Sequence, residues 1–274
     1  MGQVSEKFSG GFMNFSSALG VIAAIVVFGV AIFTSTSSRE IFLDPHGILI
    51  VIGGTMAAAF LCFPVSTFPQ MVKVVIRKFL GKYGHRHANA IREIVEMSKT
   101  QKEDAQLFRE KIPQIKTDFL RDGLKLLVDG GMNDKQLDAI LKKRADVQFR
   151  RHQKEANIFK TLAKFPPAFG LMGTTIGMIA LLQSLGSADA YSRLGPAMAI
   201  GLVATLYGIA LANFVFIPLG ENLAKLNEED ELLRELVIDG IRLLRAQEHP
   251  LVVEEFLVSY LNPTERHKLQ AKAS

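Results

Sequence analysis

The residues best suited to chemistry are two threonines in long apolar segments of the second half of the chain, Thr174 and Thr205. Small residues recur near both at spacings of three and four, so each hydroxyl shares one helical face with them. These small residues are Gly170, Gly173 and Gly177 around Thr174, and Gly201, Gly208 and Ala212 around Thr205. Hydroxyl and carbonyl oxygens can replace the water around a cation inside a membrane, where an isolated charge is costly.

No acidic side chain accompanies these hydroxyls. Residues 167–185 and 195–219 contain no Asp, Glu, Lys or Arg. A proton relay built from this chain alone therefore lacks a titratable group at mid-membrane, and we expect a partner to supply the carboxylate if ions cross. The small-residue faces leave two alternatives open, because they can pack on each other inside one chain or surround a helix of another protein.

The chain contains four uncharged apolar runs, and the last two carry these small-residue faces. They occupy residues 12–33, 47–63, 167–185 and 195–219. About 20 apolar residues in a helix cross the hydrocarbon core of a bilayer, and a helix of a soluble protein would normally keep a polar face. The pattern predicts an all-α membrane protein with four transmembrane helices.

The basic residues predict the orientation of these spans. The connections at 34–46 and 187–194 are short and carry few charges, whereas Lys and Arg are frequent in the long segment after residue 63. Those nearest the spans are Lys73, Arg77, Lys78, Lys82 and Arg86 after the second, and Lys160 and Lys164 before the third. By the positive-inside rule the long segment is cytoplasmic, and an even number of spans places both termini there as well.

We therefore expect four parts. Residues 1–66 hold the cytoplasmic N-terminus and two spans, 67–164 a cytoplasmic helical domain, 165–219 the last two spans with the ion path, and 220–274 cytoplasmic helices. Within the cytoplasmic domain, Asn133 and Asp134 predict a helix start after a stop at Gly130. Residues 71–80 are apolar on one side and basic on the other, which is typical of a helix on an anionic leaflet and equally of an ordinary amphipathic helix.

Several functional classes find no support in the residues. The sequence has no phosphate-binding lysine loop, no dinucleotide glycine fingerprint and no zinc-protease histidine pair, so an enzyme is not expected. The net charge of +5 is not organised in aromatic-interleaved patches, so no nucleic-acid partner is expected. The one cysteine, Cys62, cannot form an intramolecular disulfide or a cysteine-based metal site, and we expect no cofactor.

The motifs of the chain resemble those of the MotA/PomA family of flagellar stator subunits, over nearly its whole length. The strongest is Phe-Pro-Pro-Ala-Phe-Gly-Leu-Met-Gly-Thr-Thr-Ile-Gly at residues 165–177. Further similar stretches are Asp-Pro-His-Gly and the residues after it at 44–55, Leu-Val-Asp-Gly at 127–130, Gly-Pro-Ala-Met-Ala at 195–199, Ala-Thr-Leu-Tyr-Gly at 204–208 and Phe-Ile-Pro at 216–218.

The resemblance implies a homopentameric ring in the bacterial inner membrane, around a dimer of a MotB/PomB-like, single-span, peptidoglycan-binding subunit whose aspartate carries the ion. Pro167 and Pro218 match two family prolines associated with coupling ion flow to conformational change. Thr174 matches a position where sodium-type members tend to have threonine, and Thr205 a threonine found in both types. Ala204 stands where sodium-type members often have a second threonine, so the ion, H⁺ or Na⁺, stays open.

The family also uses charged cytoplasmic residues to engage the rotor protein FliG. The residues that match best are Lys102 and Glu110, while Lys99, Glu103 and Arg109 are close enough to take these roles instead.

Two other functions remain as alternatives. An ExbB/TolQ-like energiser has three spans with its large cytoplasmic part after the first, although a diverged motor subunit for a non-flagellar process could keep four spans. A non-conducting membrane scaffold belongs to another class, and in it the small-residue faces would only pack on each other.

Overall fold

The computed structural model describes residues 13–35, 39–80, 86–185, 190–263 and 266. All regular secondary structure in these ranges is helical, which confirms the all-α prediction. The described residues form two compact units. We call the one within 13–81 and 153–224 the membrane unit and the one within 82–152 and 225–274 the charged unit.

The α-helices are numbered in chain order. They are α1 (Met13–Ser35), α2 (Pro45–Ile48), α3 (Gly54–Cys62), α4 (Thr67–Leu80), α5 (Arg86–Glu103), α6 (Ala105–Lys111), α7 (Asp118–Asp129), α8 (Asp134–Leu162), α9 (Phe165–Ser184), α10 (Ala190–Leu211), α11 (Ile217–Arg245) and α12 (Pro250–Val258). A π-helical turn at Leu49–Gly53 joins α2 to α3, and a second one at Ala212–Phe216 joins α10 to α11.

The predicted spans coincide with helices. Continuous helical stretches at Glu40–Cys62, Asp134–Gln183 and Leu194–Arg245 are each long and apolar enough over part of their length to cross a membrane. The first predicted run is α1, whose 23 residues include no Asp, Glu, Lys or Arg. At 1.5 Å per residue, such a helix extends about 35 Å. The chain is therefore a multi-pass membrane protein.

Side chains at the helix ends explain where several helices begin. The Asp44 carboxylate accepts hydrogen bonds from the backbone N–H groups of His46, at 3.3 Å, and Gly47, at 2.6 Å. Asn133 and Gln136 form a reciprocal pair, in which each side-chain oxygen accepts the backbone N–H of the other at 2.9 and 3.1 Å. Such a capping box satisfies donors that have no partner within the helix, and it starts α8 where the sequence predicted.

The charged unit is built around its own apolar core. The largest fully buried side chains in it come from α5, α7, α8, α11 and α12, namely Ile91, Ile94, Leu120, Leu124, Leu141, Leu236, Val237, Ile241, Leu244, Val253 and Leu257. Polar residues occupy the opposite faces of these helices, as expected for helices that bury one stripe. Burial of such a stripe is the main source of helix stability outside the membrane.

One buried ion pair lies within this unit. The Arg234 side chain is only 5% exposed, and its Nε donates to a Glu231 carboxylate oxygen at 3.1 Å. Burial lowers the pKa of Arg234, and burial likewise raises the pKa of Glu231. Asp230 and Arg86 form a neighbouring ion pair, so α11 brings both charge signs to this region.

A separate apolar cluster joins four helices of the membrane unit. It consists of Ala59 from α3, Met71 from α4, Ala156, Phe159 and Leu162 from α8, and Leu223 and Ala224 from α11. Lys160 and Glu221 form an ion pair at 2.9 Å beside it. The end of α8 and the start of α11 are therefore packed together, directly before α9 and directly after the turn that follows α10.

Candidate ion path

The two threonine hydroxyls predicted as ion-path residues lie in contact. The Oγ1 atoms of Thr174, in α9, and Thr205, in α10, are 2.5 Å apart. Both residues are half-buried. Because the sequence places them 31 positions apart, only the pairing of α9 with α10 brings them together.

Two backbone carbonyls complete a cluster of four oxygens. Thr174 Oγ1 lies 2.9 Å from the Gly201 carbonyl oxygen and 3.3 Å from that of Gly170. Thr205 Oγ1 lies 3.1 Å from the Gly170 carbonyl oxygen and 3.3 Å from that of Gly201. Each hydroxyl thus reaches its own helix and the facing one. Since each hydroxyl has one proton, these contacts compete, and reorientation of a hydroxyl changes which oxygen is free to accept.

Glycines make this cluster possible because they allow the two backbones to approach. A Cβ atom at Gly170 would lie 2.9 Å from both the Ala204 carbonyl oxygen and Thr205 Cα. A Cβ atom at Gly201 would lie 2.8 Å from Thr174 Cα. Both distances are shorter than real Cβ contacts, so only glycine fits at the level of the two hydroxyls.

The remaining three glycines lie in the same helix pair. A Cβ atom would lie 2.8 Å from Ala204 Cβ at Gly173, 3.1 Å from the Ala197 carbonyl oxygen at Gly177, and 2.3 Å from the Pro166 carbonyl oxygen at Gly208. The two small-residue faces therefore pack on each other inside one chain, which is the first of the alternatives that the sequence left open. Their spacing is explained without a helix from another protein.

The two predicted coupling prolines occupy different positions in their helices. Pro167 lies in the first turn of α9, where a missing N–H leaves no intrahelical bond unmade. Pro218 is the second residue of α11, one residue after the π-helical turn Ala212–Phe216. Inside a helix a proline removes one hydrogen bond and its ring crowds the carbonyl four residues earlier, and a widened turn relieves that conflict.

Residues 42–54, which lead into and begin the second apolar run, also contribute contacts that the sequence did not single out. A Cβ atom at Gly54 would lie 2.3 Å from the Phe169 ring, and one at Gly47 would lie 3.4 Å from Ala204 Cα. The Tyr207 hydroxyl donates a short hydrogen bond to the Phe42 carbonyl. Glycines within the second apolar run were the available signal, but spacing alone does not identify the facing helix.

The predicted rotor-binding residues lie in the charged unit. Lys102 is in the last turn of α5 and Glu110 is in α6, and both side chains are exposed. Gln106 donates to the Glu110 carboxylate at 3.3 Å. Among the described residues, no group of three or more His, Cys, Asp or Glu side chains is arranged to hold a metal ion.

Known proteins match this architecture along most of the chain. Residues 111–235 match the MotA/TolQ/ExbB proton channel family. The chemotaxis protein PomA of Vibrio alginolyticus is 31% identical over 93% of this chain and 98% of its own. The chain belongs to this family. Motility protein A of Aquifex aeolicus is 34% identical over 89% of this chain and 94% of its own.

A solved structure extends the comparison to the fold. The flagellar MotAB stator complex of Bacillus subtilis contains a chain that matches with a TM-score of 0.82 and 28% identity, over 93% of this chain and 98% of that one. The resemblance to the MotA/PomA family that the motifs indicated is confirmed. This family member is a stator subunit of the bacterial flagellar motor.

The α9–α10 contact gives a test with a matched control. In Gly208→Ala the new methyl group meets the Pro166 backbone at 2.3 Å, so the helices must separate. We expect a loss of about 3 kcal/mol in stability, measured as a lower melting temperature and folded yield in detergent. Gly195→Ala places its methyl group in open space, and we expect no loss there. Equal melting temperatures for the two variants would contradict the close backbone contact.

Proposed function

We propose that this chain forms the ion-conducting part of the stator together with a MotB/PomB-like partner that supplies the carboxylate. The supporting observation is the four-oxygen cluster of α9 and α10, in spans that carry no acidic residue. Such a cluster can solvate a cation but cannot bind and release a proton at neutral pH, because hydroxyl and amide groups do not titrate there. The titrating group then belongs to a second chain.

Three features of the partner follow the family resemblance. The solved relative from Bacillus subtilis is a MotAB complex. By analogy we propose a partner dimer with one span per chain and a peptidoglycan-binding domain, enclosed by a pentamer of this chain. The five glycines Gly170, Gly173, Gly177, Gly201 and Gly208 hold α9 on α10, and the partner helix would pass the half-buried hydroxyls and not the glycines themselves.

The geometry bears on the choice between H⁺ and Na⁺. Oxygen ligands bind a cation of the size of Na⁺ or Ca²⁺ at about 2.3–2.6 Å, so two oxygens only 2.5 Å apart leave no room for it between them. A sodium ion would bind on the open side of the pair after the hydroxyls reorient. A proton carried by the partner's carboxylate needs no such ligands. We propose that both ions are compatible with this cluster, with threonine at 174 favouring sodium.

We propose that the chain lies in the inner membrane with both termini in the cytoplasm, in the four parts predicted from the sequence. The cytoplasmic part between the second and third spans would engage FliG through Lys102 and Glu110. Pro167, at the start of α9, and Pro218, just after the end of α10, lie at the same end of the α9–α10 pair, where they would permit the helix movement that couples ion passage to torque.

Reconstitution separates conduction from a scaffold role. We expect liposomes with this chain alone to show no ion flux above empty liposomes, and liposomes with the chain and its partner to show a flux that disappears when the partner's membrane carboxylate is neutralised. Flux through this chain alone would contradict the requirement for a borrowed acid. Absence of flux in every combination would favour the scaffold.

The hydroxyl cluster predicts a role for Thr174 in ion selectivity. Thr174→Ala removes one of the four oxygens and leaves Thr205 as the only hydroxyl at the two carbonyls, so we expect a change of at least about threefold in the dependence of swimming speed on sodium concentration, with normal assembly. Thr175→Ala is the matched control, because its hydroxyl bonds only to carbonyls of its own helix, Leu171 at 2.8 Å and Met172 at 3.0 Å. If both variants match the wild type, Thr174 is not in the ion path.

The rotor assignment is tested by charge reversal on the charged unit. We expect Lys102→Glu and Glu110→Lys each to reduce swimming speed by half or more, since exposed charges steer and orient a charged partner, while membrane insertion and partner co-purification stay normal. Lys125→Glu reverses another exposed charge, on α7, and we expect it to swim normally. Normal motility of both test variants would move the assignment to Lys99, Glu103 or Arg109.

A further inference from the structure

Helix α4 presents three different faces. One face is packed on the apolar cluster of the membrane unit, where Met71 is 7% exposed and Phe68 and Val75 are partly buried. The adjacent face is apolar but uncovered, since Val72 is 58% and Ile76 52% exposed. Lys73 is exposed on the far side of this uncovered stripe. A helix that served only to pack in the protein interior would need the buried face but not the uncovered apolar face.

The charge of this segment has one sign. From Thr67 through Arg92 the sequence contains no Asp or Glu, while Lys73, Arg77 and Lys78 all fall within α4. A helix with a basic side and an apolar side lies in the plane of a membrane surface, where its apolar residues enter the acyl region and its cations remain at the headgroups.

The packed face fixes the depth of α4 in the membrane unit. Met71 shares its cluster with Phe159 and Leu162, at the end of α8, and with Leu223, near the start of α11. These residues lie directly before α9 and directly after Pro218, at the ends of the apolar spans. Only four residues separate the end of α3, at Cys62, from the start of α4, at Thr67. The helix is therefore held where the spans leave the hydrocarbon.

We propose that α4 is a docking surface for anionic phospholipids of the leaflet at that end of the spans. Val72 and Ile76 enter the acyl region, and Lys73 binds the lipid phosphate. The proposal depends on the proposed topology only for the statement that this leaflet is the cytoplasmic one.

Spin labelling measures the depth of the uncovered stripe. The labels are introduced as Val72→Cys, Ile76→Cys or Gln70→Cys in a Cys62→Ser background, with the stator complex in bilayers of phosphatidylcholine and phosphatidylglycerol. We expect labels at 72 and 76 to collide more with oxygen than with a water-soluble nickel complex, and the label at exposed Gln70 to show the reverse. Nickel access at 72 and 76 would overturn the proposal. Shielding from both reagents would also overturn it, because a second copy or the partner would then cover the stripe.

The role of the positive charge at Lys73 is tested by comparing how strongly an anionic and a zwitterionic lipid associate with the complex. Spin-labelled phosphatidylglycerol should associate with the wild-type complex more strongly than spin-labelled phosphatidylcholine, and Lys73→Gln should weaken the phosphatidylglycerol association about fivefold, as expected for one cation at an anionic surface. Lys135→Gln removes an exposed positive charge from the charged unit and should leave the association unchanged. Equal effects of the two variants would show a general charge effect and overturn the proposal. The spin-label and lipid-association measurements require no ion flux, so their outcome is independent of the conduction experiment.

Discussion

In the membrane unit, α9 and α10 meet backbone against backbone through glycine. Within hydrocarbon there is no difference in hydrophobicity between a helix surface and a lipid tail, so helices associate by van der Waals packing and by hydrogen bonds. Glycine at 170 and 201 permits an approach at which each of two side-chain hydroxyls comes within 3.3 Å of both carbonyl oxygens. Helix packing and the candidate ion chemistry therefore both depend on having no side chain at these two glycines.

Under the proposed function, the lack of acidic residues in the last two spans divides the chemistry between this chain and its partner. A carboxylate on α9 or α10 would be costly in the membrane without a partner, and in a ring it would be present in every copy. In the proposed assembly, an acid on a central partner helix would instead be available to every copy of this chain. In that proposal, uncharged oxygens on this chain would provide polar surroundings for the ion without fixing its position, which suits an ion that has to leave again.

Hydropathy, glycine spacing and capping residues predicted the spans, the start of α8 and the contact residues of α9 and α10. Each of these signals acts within a few residues of sequence or along one helical face. These signals could not show that the two glycine faces contact each other, because the residues of one helical face do not identify the helix that packs on it. The π-helical turns at Leu49–Gly53 and Ala212–Phe216 were also not predicted, since no local residue pattern requires a widened turn. Pro218 indicated only that the regular helix is interrupted nearby.

The turn before Pro218 lies between two well-packed regions of the membrane unit. Before it, Gly208 holds α10 against the start of α9, and after it, a Cβ atom at Gly220 would lie 3.0 Å from the side chain of Lys160 in α8. The regular hydrogen-bond ladder is therefore interrupted between two places where the helix cannot slide freely. A change of angle between α9 and α10 has to be taken up at this turn and at the short link from α8 to α9, which Pro166 and Pro167 follow. A movement of α9 against α10 would thus reach α8 and α11 together, because these helices are held to each other by the Lys160–Glu221 pair and the apolar contacts beside it.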